Sequence, residues 1–360
     1  MRQPANRPRI GLTMGDVAGI GPELIVKAWS SESLHQSCLP YVIGSPRWLE
    51  RAKVWAERPV RVTPVSRLEE LLPARDLIPC LNPLTPEEDA ALSEVETGHV
   101  NPRAGWAAYR FLTRAIDCVQ WGHLEAITTL PLSKEALRLA GVAHPGHTEI
   151  LAERLGTHEF AMMLYLATDG SRSPIEAESS VQSGLGVVHV TLHLPLREVP
   201  DRITKEAVIE KIRLADRAMR PLLSERTRPR IAVSSLNPHS GERGLFGDEE
   251  IRVIGPAVVE AQAAGFDVAG PFPNDTLFHT AVTGAFDAVV AMYHDLGHVA
   301  LKTLGFHRAV NVTVGLPIVR TSVAHGTAFD IAGRGRADPR SLIEAVRVAA
   351  RLASSPLDSS

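Results

Sequence analysis

Three histidines, His193, His239 and His294, stand at or just past the ends of short apolar runs: "VVHVTLHLPL", "IAVSSLNPHSGERG" and "AFDAVVAMYHD". Each run reads as a buried strand, so three successive strand–helix units bring one imidazole each to the same edge of a sheet. Open α/β sheets bind ligands at the carboxyl ends of their strands. Three imidazoles there, with room for a substrate oxygen, have the shape of a metal site. The competing reading makes each an ordinary loop histidine, solvated or hydrogen-bonded, and no compact ligand motif such as HExxH argues against it. His189, on the face of the first run, reads as structural.

Other polar residues sit where chemistry is feasible. "HPGHTEIL" places Gly146 before His147, Thr148 and Glu149 at a helix start, and backbone N–H groups beside a hydroxyl and an imidazole suit a phosphate or carboxylate. A simple capping role for Thr148 is the alternative. Lys302, Asn311 and Arg320 fall among apolar, β-branched residues; the lysine and arginine either grip a phosphate or pair with a carboxylate such as Asp287 or Asp330. "GDVAGIGPE" has glycines at 15, 19 and 21, which fit neither the dinucleotide fingerprint nor a P-loop. It reads equally well as a tight turn that lets a helix pack on a strand.

The elements that position these residues alternate along the chain. "RIGLTMG" is a strand followed by the helical "GPELIVKAW"; "LEAITTLPLSKEALRLAG" repeats the theme; the three histidine-bearing runs are each followed by a helical pattern. This alternation predicts an α/β protein with a largely parallel sheet and helices on its faces. Residues 60–100, rich in proline and acid, read as surface connections with a short strand. The polar stretch 168–184, "TDGSRSPIEAESSVQSG", reads as an exposed loop between two strands, and the tail "SSPLDSS" as disordered.

Composition narrows the function classes. The chain has 360 residues and a formal net charge of −3, without the basic footprint expected for nucleic acid. No window holds the apolar run that a spanning helix needs, and no opening signal-type segment is visible. Cys38, Cys80 and Cys118 are odd in number and in no metal-ligand spacing, which fits reduced thiols. The expectation is a cytoplasmic protein that binds neither membrane nor nucleic acid.

Seven segments, in order, carry a resemblance: "TMGDVAGIGPEL", "HPGHTEIL", "VTLHLPL", "LNPHSGERGLFGDEE", "GPFPNDTLF", "MYHDLGH" and "VNVTVGLPIVRTSVAHGTAFDIAGRG". Together they resemble the motifs of the 4-hydroxythreonine-4-phosphate dehydrogenase family over nearly the whole chain. The resemblance implies a two-domain isocitrate/isopropylmalate dehydrogenase-like fold. The first domain would comprise residues 1–140 plus 308–360 and the second 141–307, with the active site in the cleft between them. It implies a homodimer whose metal site is shared across the interface, with His193, His239 and His294 as ligands. It further implies that His147, Thr148, Lys302, Asn311 and Arg320 contact a phosphorylated substrate.

The implied reaction is oxidation of a 4-phosphorylated hydroxy acid by NAD, with NADP the alternative, followed by decarboxylation. A divalent ion assists it, zinc first and cobalt, manganese or magnesium as alternatives. Asp295 would orient the metal site, and Lys302, Asp275 and a metal-bound water are the candidates for taking the hydroxyl proton. The cofactor-binding residues and the role of His298 stay unassigned. Leu296 stands where the family usually has glutamine, Ala324 where it usually has aspartate, and the stretch 168–184 is longer than in the basic pattern. "FGDEE" and "YHDLGHVALK" look closer to the branch acting on D-threonate or D-erythronate 4-phosphate. A non-catalytic phosphate-ligand binding relative is the reading from a different class.

Overall fold

Short apolar runs become strands, and those at the centre of each sheet are buried along almost their whole length. The computed structural model describes residues 7–157, 159–167, 184–223 and 226–354, in two units: Met1–His158 with Leu316–Ser360, and Glu159–Gly315. In the first unit six strands pair in the order β3-β4-β2-β1-β5-β12. They are β1 (Arg9–Thr13), β2 (Leu39–Ile43), β3 (Arg61–Val65), β4 (Leu77–Leu81), β5 (Ala126–Thr129) and β12 (Val319–Val323), and every pairing is parallel. All of β5 and β12 and four of the five residues of β1 are buried. Strands hidden on both faces are what a parallel sheet covered by helices requires.

The second unit orders its strands β11-β6-β7-β10-β8-β9. These are β6 (Ala161–Leu166), β7 (Leu185–His189), β8 (Ile231–Ser234), β9 (Val268–Phe272), β10 (Ala288–Ala291) and β11 (Ala309–Val314). β7, β10, β8 and β9 run parallel, whereas β6 pairs antiparallel with both β7 and β11. The fold class is α/β and largely parallel.

Eight helices among the described residues reach nine residues or more. They are α1 (Gly21–Trp29), α2 (Pro102–Gln120), α3 (His147–Leu155), α4 (Lys205–Met219), α5 (Gly255–Ala263), α6 (Asn274–Val282), α7 (His294–Gly305) and α8 (Arg340–Ala353). In the first unit α2 packs on β1, β2 and β5, and α8 on β1, β5 and β12. In the second, α4 and α7 lie on β7 and β10. Among the described residues no helix is long and apolar enough to cross a membrane.

The division departs from edges at 140 and 307. α3 packs on α2 and so stays with the first unit, taking His147 and Thr148 with it. β11 pairs with β6 along six residues and so stays with the second, taking Asn311. Residues 60–100 hold two strands, not one, together with a short helix at Pro86–Ala91. The readings made of 168–183 and of the tail from 355 lie outside the described residues.

The glycine turn at 15–21 packs a helix against a strand. A Cβ on Gly21 would come within 2.1 Å of the Met14 carbonyl oxygen. One turn into α1, the buried Glu23 accepts the N–H groups of Gly335 (3.2 Å) and Ala337 (2.7 Å), and pairs with Lys27 at 3.1 Å. Lys27 in turn donates to the carbonyls of Gly335 and Ala337, so α1 clamps the loop that precedes α8. Glu23→Ala strands two backbone donors and a lysine. We expect it to lower stability by about 2–4 kcal/mol, read as a fall in the urea midpoint; an unchanged midpoint would show the clamp to be dispensable.

Candidate active site

α7 begins three residues after β10, and that short step puts His294 in its first turn. His294, His298 and Lys302 recur every four residues and therefore share one helical face. The rings of His294 and His298 stack at 3.9 Å with 9° between planes. His298 Nδ1 lies 3.3 Å from Nε2 of His189, the last residue of β7. His193, exposed four residues beyond that strand, brings its ring to 5.7 Å from His294. The close approach of α7 to β7 depends on Gly297, where a Cβ would lie 2.4 Å from His189 Nε2.

Electrostatics keep His189 and His298 neutral. Burial, reinforced by the neighbouring imidazoles, pushes His189 down to about 3 and His298 to about 4. Lys302 adds to the lowering at His298. His294 Nδ1 sits 2.6 Å from Asp295 Oδ1. With a carboxylate as partner, Nδ1 is the donor and Nε2 is left to face another group.

His239 stands apart. It lies five residues past β8, exposed, and among the described residues makes no ring contact with His193 or His294. No three His, Cys, Asp or Glu side chains among those residues form a metal-holding group within the chain. The structure thus brings together two of the three proposed ligands, with Asp295 bonded to one. That donor set suits a divalent transition metal and is one protein ligand short of a three-histidine site. Asp275 is exposed in the first turn of α6, with no hydrogen bond or ion pair to these histidines or to Lys302 among the described residues. Asn311 is half-buried in β11, opposite Leu164.

A second cluster lies in the first unit. Arg320, only 6% exposed on β12, donates from Nε (3.2 Å) and Nη2 (2.7 Å) to Thr129 Oγ1 at the end of β5. Burial lowers its pKa to about 10, against the attraction of Glu149. Burial and the Arg320 charge hold His147 well below the usual imidazole value, offset in part by the Leu130 backbone. Gly146, not Thr148, occupies the N-cap of α3, and no side chain caps it. Thr148 is therefore inside the helix, and the capping account of it fails. An arginine, a neutral imidazole, the Thr129 hydroxyl and the N-terminus of α3 gather donors here, with the Glu149 carboxylate close enough to act on the arginine. Asp287, weighed as a structural partner for Lys302 or Arg320, is instead taken by Arg230, whose backbone N, Nε and Nη2 donate to it at 2.8, 3.2 and 3.1 Å.

The family model described as "Pyridoxal phosphate biosynthetic protein PdxA" matches residues 36–349. This chain belongs to that family. A relative from Trichlorobacter lovleyi named 4-hydroxythreonine-4-phosphate dehydrogenase is 43% identical over 349 residues, covering 96% of this chain and 98% of the relative. A Salmonella typhimurium relative named D-threonate 4-phosphate dehydrogenase is also 43% identical, over 345 residues, with 96% and 98% coverage. The crystal structure of a 4-hydroxythreonine-4-phosphate dehydrogenase from Klebsiella pneumoniae superimposes with a TM-score of 0.82 at 38% identity, covering 97% of this chain and 99% of that one.

Several residues of this PdxA-family chain escaped the sequence reading. Thr129 carries only the signal of a polar pair, "TT", ending an apolar strand. His189 and His298 look incidental until β7 and α7 are packed together. Asp16, in the glycine turn after β1, is fully buried; its Oδ1 accepts the Ala18 N–H at 2.9 Å, and its Oδ2 has no partner among the described residues. Burial raises its pKa from 3.8 to about 6.

The folded state therefore holds this proton more tightly than the unfolded chain does. Stability contributed by the protonated form is present below about pH 4 and is lost as pH rises toward 6. Asp16→Asn removes the titration. We expect the variant to gain on the wild type by about 1.4 kcal/mol per pH unit across that window, measured by urea unfolding at pH 4, 5, 6 and 7. A gap that stays constant with pH would contradict the assignment.

Proposed function

We propose that this chain catalyses metal-dependent, NAD-linked oxidation and decarboxylation of a 4-phosphorylated hydroxy acid, with 4-hydroxythreonine 4-phosphate as the substrate and pyridoxal phosphate synthesis as its role. The observation that carries this reading is the His193–His294 pair with Asp295 bonded to His294, on a chain whose family relatives are named dehydrogenases. D-Threonate or D-erythronate 4-phosphate is the alternative substrate, favoured by the equal identity of the D-threonate 4-phosphate dehydrogenase relative. NAD is proposed over NADP, and zinc as the metal.

In this reading His193, His239 and His294 hold the ion. When bound, the metal supplies Lewis acidity toward the substrate hydroxyl and the oxyanion that develops, and the nicotinamide supplies the hydride acceptor. Asp295 keeps the proton on His294 Nδ1 and so aims Nε2 outward. His298, neutral and stacked on His294, restrains the ring's rotation. Arg320, His147 and Thr148 grip the phosphate: the arginine is already oriented by Thr129, so little side-chain entropy is left to lose on binding. Lys302 and Asn311 make further substrate contacts. Lys302 and Asp275 are the residues proposed to accept the hydroxyl proton, with Lys302 preferred because it shares the face of α7 that carries His294.

The chain acts as a homodimer in this proposal, and His239 joins the His193–His294 pair of the partner copy. Its separation from that pair within one chain supports this, as do the exposed Leu245, Phe246 and Ile251 that follow it, an apolar group of the kind a second subunit covers. Phe246→Asp should shift the sedimentation coefficient to that of a monomer and weaken metal binding with it. Dimers of unaltered metal affinity would count against the shared site.

The direct test is NAD reduction by the purified protein with 4-hydroxythreonine 4-phosphate, D-threonate 4-phosphate or D-erythronate 4-phosphate, with and without chelator. Turnover on the first, abolished by chelator and restored by a divalent ion, is expected. Turnover on the sugar acids alone would replace the substrate, and binding of all three without turnover would favour a non-catalytic relative.

A further inference from the structure

The loop that carries His239 has an unusual backbone. Five consecutive residues, His239 (φ 50°), Ser240 (52°), Gly241 (76°), Glu242 (40°) and Arg243 (57°), lie in the left-handed region, and four of them are not glycine. L-residues visit that region singly, not in runs. Such strain persists only where surrounding structure over-determines it, and it gathers at functional sites.

The entry to this run is fastened by Glu250. Its carboxylate is 4% exposed. Oε1 accepts the backbone N–H groups of both Leu236 and Asn237 at 2.8 Å, and Oε2 accepts the Asn237 side-chain amide at 2.9 Å. The same amide also donates to Glu249 at 2.6 Å. All of these contacts fall on the two residues that lead into Pro238 and His239. On the far side of the turn Gly247 packs so closely that a Cβ would meet the Asn237 side chain at 2.4 Å. Glu250 itself opens a π-helical turn, Glu250–Ile254, in which the Gly255 N–H reaches back to the Glu250 carbonyl. The wide turn precedes Pro256, which has no N–H to give. Single π turns inside α-helices are frequent at functional sites, and this one fixes the end of the helix from which the carboxylate reaches the loop.

We propose that Glu250 is a positioning residue for His239: its buried carboxylate fastens the entry to the left-handed turn and so fixes the direction in which the imidazole is presented to the metal. The proposal deepens the three-histidine reading and rests on it. Glu250 does not touch metal or substrate in this scheme. Its effect passes entirely through His239.

The test is zinc affinity of the full-length protein, measured by competition with a chromophoric chelator, for His239→Ala, Glu250→Ala, Glu250→Gln and each Glu250 variant combined with His239→Ala. Glu250→Ala should weaken zinc binding by about 10- to 100-fold, the usual effect of removing a residue that orients a ligand. In the His239→Ala background it should add less than about twofold, because the group it acts through is gone. Glu250→Gln keeps an oxygen for the two backbone N–H groups but turns an NH2 toward that of Asn237, and should cost about three- to tenfold. Should the alanine variant fail to fold, the glutamine variant and its double decide the matter. Wild-type affinity in the Glu250 variants, or a loss that persists undiminished without His239, overturns the proposal while leaving the metal site standing. Unchanged affinity in His239→Ala alone would overturn the three-histidine reading and this inference with it.

Discussion

A strand paired on both edges and buried on both faces has no exposed position along its length, so polar side chains that meet ligand must emerge at its ends. Both units obey this constraint. In the first, Thr129 ends β5 and the glycine turn follows β1. In the second, His189 ends β7, His294 follows β10 by three residues, and His239 follows β8 by five. Arg320 is the exception that shows the cost. It lies inside the buried strand β12, where desolvation lowers its pKa to about 10, and it is held by a strand-end hydroxyl and drawn to Glu149. A charge in such a place is tolerated when a counter-charge or a ligand anion completes its surroundings.

The same burial keeps His189 and His298, two imidazoles in ring contact with His294, neutral. Four imidazoles, His189, His193, His294 and His298, lie within one network of ring contacts. Were they protonated, their mutual repulsion in a partly dry site would be severe. Burial and mutual proximity lower two of them to about 3 and about 4, and Asp295 fixes the tautomer of a third. Neutral rings with an outward lone pair are the protonation state that a divalent ion requires.

The class of the fold was legible because strand and helix periods alternate cleanly from "RIGLTMG" onward, and because "DAVVAM" stops so abruptly at Tyr293-His294. What the sequence hid is mostly long-range. β6, the one strand of the second unit that runs against the others, reads like its neighbours, since burial, not direction, sets composition. His147 and Asn311 exchanged units because helix packing and strand pairing, not local pattern, decide where α3 and β11 belong. His189 and His298 are 109 residues apart and become partners only when Gly297 lets α7 close on β7. Asp287 offered itself as a partner for the basic residues, but Arg230, 57 residues away, had already claimed it.

The turn at 239–243 shows most sharply why a proposed ligand cannot be understood from its own residue alone. Four non-glycine residues in the left-handed region cost about 4–8 kcal/mol at the usual 1–2 kcal/mol each. Three hydrogen bonds to the buried Glu250 carboxylate fasten Leu236 and Asn237, the residues that lead into this turn. A conformation that is expensive and centred on a histidine makes sense if what it secures is direction. In "NPHSGERGLFGDEE" the histidine and the glutamate that holds its loop are eleven residues apart, and neither is informative without the other.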